Sequence, residues 1–132
     1  MSEPLDPTVM TAEPRLIGSR CERCGTVTFP RQGSCPRCTS TDVSEHRLAT
    51  RGTLWSWTIQ CFEPKPPYVS PNGGPFEPYG VGYVELPGEV RVEARLTVAE
   101  PERLRIGMPM ELTTIPAAGG KVTYAFRPTE ET

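Results

Sequence analysis

The sequence predicts a mostly β chain, with an N-terminal four-cysteine zinc ribbon followed by a five-stranded OB-fold barrel. Three observations predict it. Two C-x2-C pairs, Cys21 with Cys24 and Cys35 with Cys38, are separated by ten residues. From residue 48 onward, apolar and polar side chains alternate with period two in five short segments. Those segments are punctuated by many of the chain's 16 prolines and 12 glycines, too many for a helical bundle and arranged in no repeat. A chain of 132 residues with 36% hydrophobic content can bury one modest core, as one compact unit or two very small ones.

Residues 1–14 are polar and carry three prolines, which reads as a flexible or draped arm. Residues 15–47 form the cysteine module. RLIGSRCERCG leads into TVTFPRQGS and closes on CPRCTS, so that each cysteine pair sits at a turn and the intervening segment can make a short hairpin. Residues 48–128 form the barrel, with 129–132 as a tail.

In TLWSWTIQCF, strict alternation places Trp55, Trp57, Ile59 and Cys61 on one buried face of the first barrel strand. The proline-rich stretch from Glu63 to Pro78 follows, with Tyr68, Phe76 and Tyr79 in it or at its end. A loop of that length in so small a domain suits partner docking, with a plain surface loop as the bland alternative. YGVGYVEL and VRVEARLTV are the second and third strands, joined by Pro87-Gly88 at the centre of a type II turn. Val90, Val92, Ala94, Leu96 and Val98 face inward in the third. AEPERLRI reads as one helical turn near Pro101, and MPMELTTI and KVTYAFRP supply the last two strands around the turn 117–120. Five short antiparallel strands with one interior break match the OB arrangement.

The four cysteines carry the chemistry. Each pair grips from a tight turn whose amides can point at the sulfurs, and bringing the turns together gives four thiolates around one tetrahedral ion. Gly25 allows the left-handed backbone such a turn needs, and Pro36 stiffens the second. Four thiolates close the coordination sphere, which makes the metal structural. Zinc is the expected ion; iron can occupy the same ligands, and the spacing does not separate the two. The βαβ context of a thioredoxin-type dithiol is absent, and an odd number of cysteines, five, argues against a disulfide framework.

Other constellations are thin. Cys61, read as buried in the first strand, is a core cysteine before it is a nucleophile. His46 is the one histidine, so neither a Ser-His-Asp set nor a Cys-His dyad has support elsewhere in the chain, and no phosphate-cradling glycine loop occurs. Residues 15–51 hold seven arginines against three acids, while the chain as a whole carries −2. Arg20, Arg23 and Arg31 are therefore candidate contacts for a partner or an anionic cofactor, with a solvated surface as the alternative. Single-stranded nucleic acid is the rival ligand class. Against it, a four-thiolate divalent site offsets the module's charge to about +2, and no exposed strand face is expected to interleave aromatic and basic residues. The start MSEPLDPTVMTAEP lacks a basic flank followed by an apolar stretch, and no run approaches the roughly 20 apolar residues that span a bilayer. A cytoplasmic protein with no membrane association is the expectation.

RCERCG, FPR, CPRC, GTLWSWT, YGVGYVEL, RLRIGMPMEL and the closing AFRP, taken in order, resemble the thiolase-associated family of small proteins with a rubredoxin-like zinc ribbon followed by an OB fold. The resemblance covers roughly residues 15–128. It implies a non-catalytic accessory subunit or fused domain in acyl-CoA metabolism, working in a hetero-oligomer with a thiolase, a hydroxymethylglutaryl-CoA synthase, or a thiolase-like aldolase of steroid side-chain or aromatic degradation. The partner would then supply the carbon–carbon bond chemistry, and this subunit would help to form or gate the site for a coenzyme A thioester. Of the motifs, the cysteines Cys21, Cys24, Cys35 and Cys38 carry over as functional residues. Many members place a helical hairpin before the ribbon, and residues 1–14 are too short and proline-rich to supply it.

Overall fold

The computed structural model describes residues 3–65 and 75–129. Among the described residues eight strands run in order: β1 (Ile17–Cys21), β2 (Val27–Thr28), β3 (Val43–Arg47), β4 (Arg51–Gln60), β5 (Tyr79–Glu85), β6 (Arg91–Leu96), β7 (Pro109–Pro116) and β8 (Val122–Pro128). The ribbon is a three-stranded sheet in the order β2-β1-β3, and the barrel closes as β4-β5-β6-β8-β7. Closure is achieved through three register pairs between β4 and β7 and one parallel pair, Leu96 with Phe126, between β6 and β8. The expected hairpin between the cysteine pairs takes a different form. β2 folds back onto β1 around the first pair, and β3 joins the other side of β1 after the second.

In β6 the alternation holds: Val92, Ala94 and Leu96 are buried, as is Val98 beyond the strand. The turn before it is the expected one, with Gly88 at φ 73 and the Glu89 amide donating to the Leu86 carbonyl at 3.0 Å. Pro101–Arg103 form a single 3-10 turn. Gly80 and Gly82 are buried in β5, with backbone carbonyls of neighbouring segments close by. A β-carbon at Gly82 would stand 2.5 Å from the Ser56 carbonyl oxygen, and one at Gly80 would clash with the Val98 carbonyl.

β4 departs from the expected phase. Leu54 pairs with Val84 but Ser56 pairs with Tyr83, so Trp55 is an extra residue in a β-bulge. The bulge resets the alternation, putting Leu54 on the same side as Trp57 and Ile59, which pack against the core. Trp55 is turned outward and is 45% exposed. Cys61 lies past the end of β4 and is exposed, correcting the expectation that it shares a buried face with Trp55, Trp57 and Ile59.

Ribbon and barrel share one hydrophobic cluster. Met10, Leu16, Val27 and Leu48 belong to it together with Leu54, Val84, Met110 and Phe126. Polar ties reinforce the junction: the Arg15 guanidinium donates to the Leu48 carbonyl at 2.8 and 3.0 Å, and the Glu89 carboxylate accepts the Ala49 amide at 2.9 Å while meeting His46 Nε2 at 2.8 Å. Residues 3–14 are draped along the barrel. The Val122 amide donates to the Glu3 carbonyl and the Leu5 amide to the Val122 carbonyl, so the segment extends the edge of β8, and Met10 plugs the core at 2% exposure.

Candidate metal centre

Two near-identical knuckles build the site. In the first, at the end of β1, the Gly25 amide donates to the Cys21 carbonyl at 2.9 Å and the Cys21 amide to the Thr26 carbonyl at 2.9 Å. In the second, the Thr39 amide donates to the Cys35 carbonyl and the Cys35 amide to the Ser40 carbonyl, both at 2.8 Å. Each turn needs a left-handed residue just after its second cysteine, met by Gly25 at φ 80 and by Thr39 at φ 64. The pairing of Cys21 with Val43 across β1 and β3 holds the two knuckles face to face.

All four Sγ atoms lie within 4.8 Å of one another. Cys21 and Cys38 Sγ are 3.5 Å apart, and Cys24 and Cys35 Sγ 3.6 Å. A tetrahedral ion with zinc–sulfur bonds of about 2.3 Å requires sulfur separations of about 3.8 Å, so the sulfurs already stand close to coordination geometry. Backbone amides point at them, Cys24 N toward Cys21 Sγ at 3.5 Å and Arg37 N toward Cys35 Sγ at 3.4 Å. The Thr26 hydroxyl lies 3.1 Å from Cys24 Sγ. The hydrogen bonds from Thr26, hydroxyl first and then backbone, draw the Cys24 thiol down to about 6. At Cys38 the Ser40 amide pulls the other way, but the Cys21 thiol and burial outweigh it and push the group up to about 11. The unligated cluster therefore holds protons that an ion must displace. Four sulfurs with no oxygen or nitrogen ligand among them suit a closed, structural zinc, which when bound cross-links the knuckles.

The other candidate residues fall into two groups on two units. Arg20 on β1 and Arg23 in the first knuckle are exposed ribbon residues, and Arg31 beyond β2 is partly neutralised by Glu45 at 3.3 Å. Phe76 and Tyr79 stand at the start of β5, their rings in edge contact with centroids 6.1 Å apart. Tyr68 lies outside the described residues. His46 is engaged with Glu89 at the junction, and Cys61 Sγ contacts the Ile59 carbonyl at 3.6 Å, so the structure does not bring them together as a dyad.

One expectation is reversed on the barrel surface. The outward face of β4, β5 and β6 does interleave aromatic and basic residues: the Arg91 guanidinium lies 4.0 Å over the Trp55 ring, the Arg95 guanidinium 3.5 Å over Tyr79, and Trp55 meets Tyr83 edge-on at 6.2 Å. The bulge creates this arrangement by everting Trp55, and nothing in the local alternation announces it.

Comparison with known proteins agrees with both halves of the fold. Residues 10–44 match the family model described as the ChsH2 rubredoxin-like zinc ribbon domain, and residues 45–114 match the ChsH2 C-terminal OB-fold domain. A DUF35 domain-containing scaffold protein of Methanocaldococcus jannaschii is 33% identical over 85% of this chain and 79% of its own length. The benzoylsuccinyl-CoA thiolase subunit BbsA of Thauera aromatica is 33% identical over 86% of this chain and 76% of its own. Among solved structures, a chain of the Ltp2-ChsH2(DUF35) aldolase superposes with a TM-score of 0.68 at 31% identity, covering 86% of this chain and 84% of that one. Matched in order through ribbon and barrel, and 33% identical over the aligned region to a relative that it largely spans, the chain belongs to the ChsH2, or DUF35, family of zinc-ribbon and OB-fold proteins.

Proposed function

We propose that this chain is a non-catalytic accessory subunit of a heteromeric thiolase-like enzyme, a thiolase or an aldolase of acyl-CoA metabolism. The observation that carries the reading is family membership through both domains, with a relative named as a thiolase subunit and a similar structure named as part of an aldolase. The residues support it: the four cysteines are committed to a closed metal site, and His46 is spent on a junction contact. The partner carries the carbon–carbon bond chemistry, and this subunit helps to form or gate its site for the coenzyme A thioester. Arg20, Arg23 and Arg31 are the proposed contacts to the partner or to the phosphates of coenzyme A, with Arg31 the weakest because Glu45 shares its charge. Tyr68, Phe76 and Tyr79 are the corresponding apolar contacts. The complex is a cytoplasmic hetero-oligomer in this reading.

The test is co-expression with the thiolase-like protein of the same organism that co-purifies with it. Turnover of the partner's acyl-CoA substrate should depend on this chain; a partner fully active and soluble alone would overturn the proposal. The aromatic and arginine face keeps a second reading in play, a single-stranded nucleic-acid module. It predicts an oligonucleotide mobility shift that weakens steeply with added salt, and no shift at low salt removes it.

A further inference from the structure

The proposed function requires a surface on which the partner subunit sits, and the barrel presents one that the metal site does not explain. Trp55 and Tyr83 are large hydrophobic side chains that are 45% and 40% exposed, and they touch each other. The bulge that everts Trp55 is braced from the far side of β4. The Leu54 amide donates to the Met108 carbonyl at 2.9 Å, and the Leu54 carbonyl accepts the Gly107 amide at 2.7 Å. This brings the turn that carries Ile106, 62% exposed, beside the bulge. Two of the five large exposed apolar side chains among the described residues therefore touch at the bulge, and a third, Ile106, sits on the turn bonded to its backbone. Bulges recur where a strand must re-aim a side chain for function, and grouped exposed apolar residues mark interaction sites where scattered ones do not.

Charge decides among occupants. Arg91 and Arg95 are balanced on this face by Glu85 and Glu93, and Arg91 pairs with Glu85 at 3.4 Å. Both guanidinium groups already lie on aromatic rings. Around Trp55 and Tyr83 a polyanion would meet two arginines that are matched by two acids and already engaged, whereas a neutral protein surface would meet Trp, Tyr and Arg, the residue types that dominate binding hot spots. The stacking also fixes the rings before docking, which lowers the ordering cost of association. We propose that the outward face of β4–β5–β6, centred on Trp55 and Tyr83 and extended by Ile106, is where the thiolase-like subunit docks; this rests on the accessory-subunit reading.

The experiment measures binding of the full chain to the recombinant thiolase-like protein that co-purifies with it, by calorimetry, with metal content and melting temperature as controls for folding. Trp55→Ala and Tyr83→Ala should each weaken binding by at least about 30-fold, while Arg127→Ala on the β7–β8 face leaves it unchanged. Folded variants of both residues that bind within about threefold of the unsubstituted chain would overturn this docking face and leave the accessory reading standing. If the unsubstituted chain binds no thiolase-like protein, the accessory reading fails and this inference with it. Self-association through Trp55 in sedimentation, or an oligonucleotide shift abolished by Trp55→Ala, would overturn it in favour of a second copy or a nucleic acid.

Discussion

Cys35 is buried in the second knuckle, and its amide and carbonyl hold the loop that returns to Cys38 and Ser40. Replacing its sulfur with oxygen in Cys35→Ser removes one of four ligands from a site whose binding energy is also folding energy. Bound zinc should fall from one per chain toward zero by elemental analysis, and amides of β1 and β3 should lose exchange protection; a variant that keeps a full equivalent of zinc at undiminished affinity would remove Cys35 from the ligand set. Thr39 poses the opposite case, a β-branched residue at φ 64 in the position that glycine fills in the first knuckle. Left-handed backbone costs an L-residue roughly 1–2 kcal/mol, and glycine's larger unfolded-state entropy returns part of that. Thr39→Gly should stabilise the chain by about 0.5–1 kcal/mol, seen as a higher urea midpoint at constant slope; a lower midpoint would show that the threonine is not strained. The four-cysteine cluster was legible because C-x2-C spacing is what the geometry of one ion imposes. The strain at Thr39 was not, because a backbone angle leaves no mark on residue type.

Among the elements, β6 shows what sequence can carry and β4 what it cannot. A strand in regular register keeps its alternation, so β6 reads directly; one inserted residue in β4 shifts every later side chain to the other face, and Trp55 gives no local hint of it. The edge pairing of residues 3–5 with Val122 was equally hidden, since it depends on backbone groups that every residue possesses. Gly82 tests the barrel's tight wall. A methyl group there meets the Ser56 carbonyl, so Gly82→Ala should cost roughly 1–3 kcal/mol by chemical denaturation, and a neutral effect would mean that β4 and β5 can separate freely. Glu89 tests the junction. In Glu89→Ala the Ala49 amide and His46 lose their acceptor, for a cost of about 1–3 kcal/mol and faster exchange of the Ala49 amide. Unchanged exchange there would show that the clamp does not restrain the ribbon.

At the scale of the molecule, Met10, Leu16, Val27 and Leu48 carry the ribbon's side of a core that the barrel completes, so the state of the metal should be felt beyond the knuckles. The order of ribbon before barrel was legible because period-two strands follow the cysteine module; the shared core was not, because it is made by contacts between units. Acid connects the metal to stability with a definite sign. The zinc-bound chain holds fewer protons than the unligated one, in which the Cys38 thiol keeps its proton up to about 11 while Cys24 releases its own near 6. Each displaced proton makes affinity fall tenfold per unit of acidification, so between about pH 8 and 6 zinc affinity should drop by at least about tenfold per unit. Stability contributed by the metal is thus present on the alkaline side of that window and lost as the pH falls. The melting temperature of the zinc-loaded chain, measured with a fixed excess of chelator, should decline through this range and merge with that of the metal-free chain. Because Leu54, Val84 and Phe126 lie in the shared cluster, a barrel probe such as Trp57 fluorescence should report the same transition as the ribbon. A barrel signal indifferent to chelator and pH would show that the ribbon melts alone and that the common core transmits nothing.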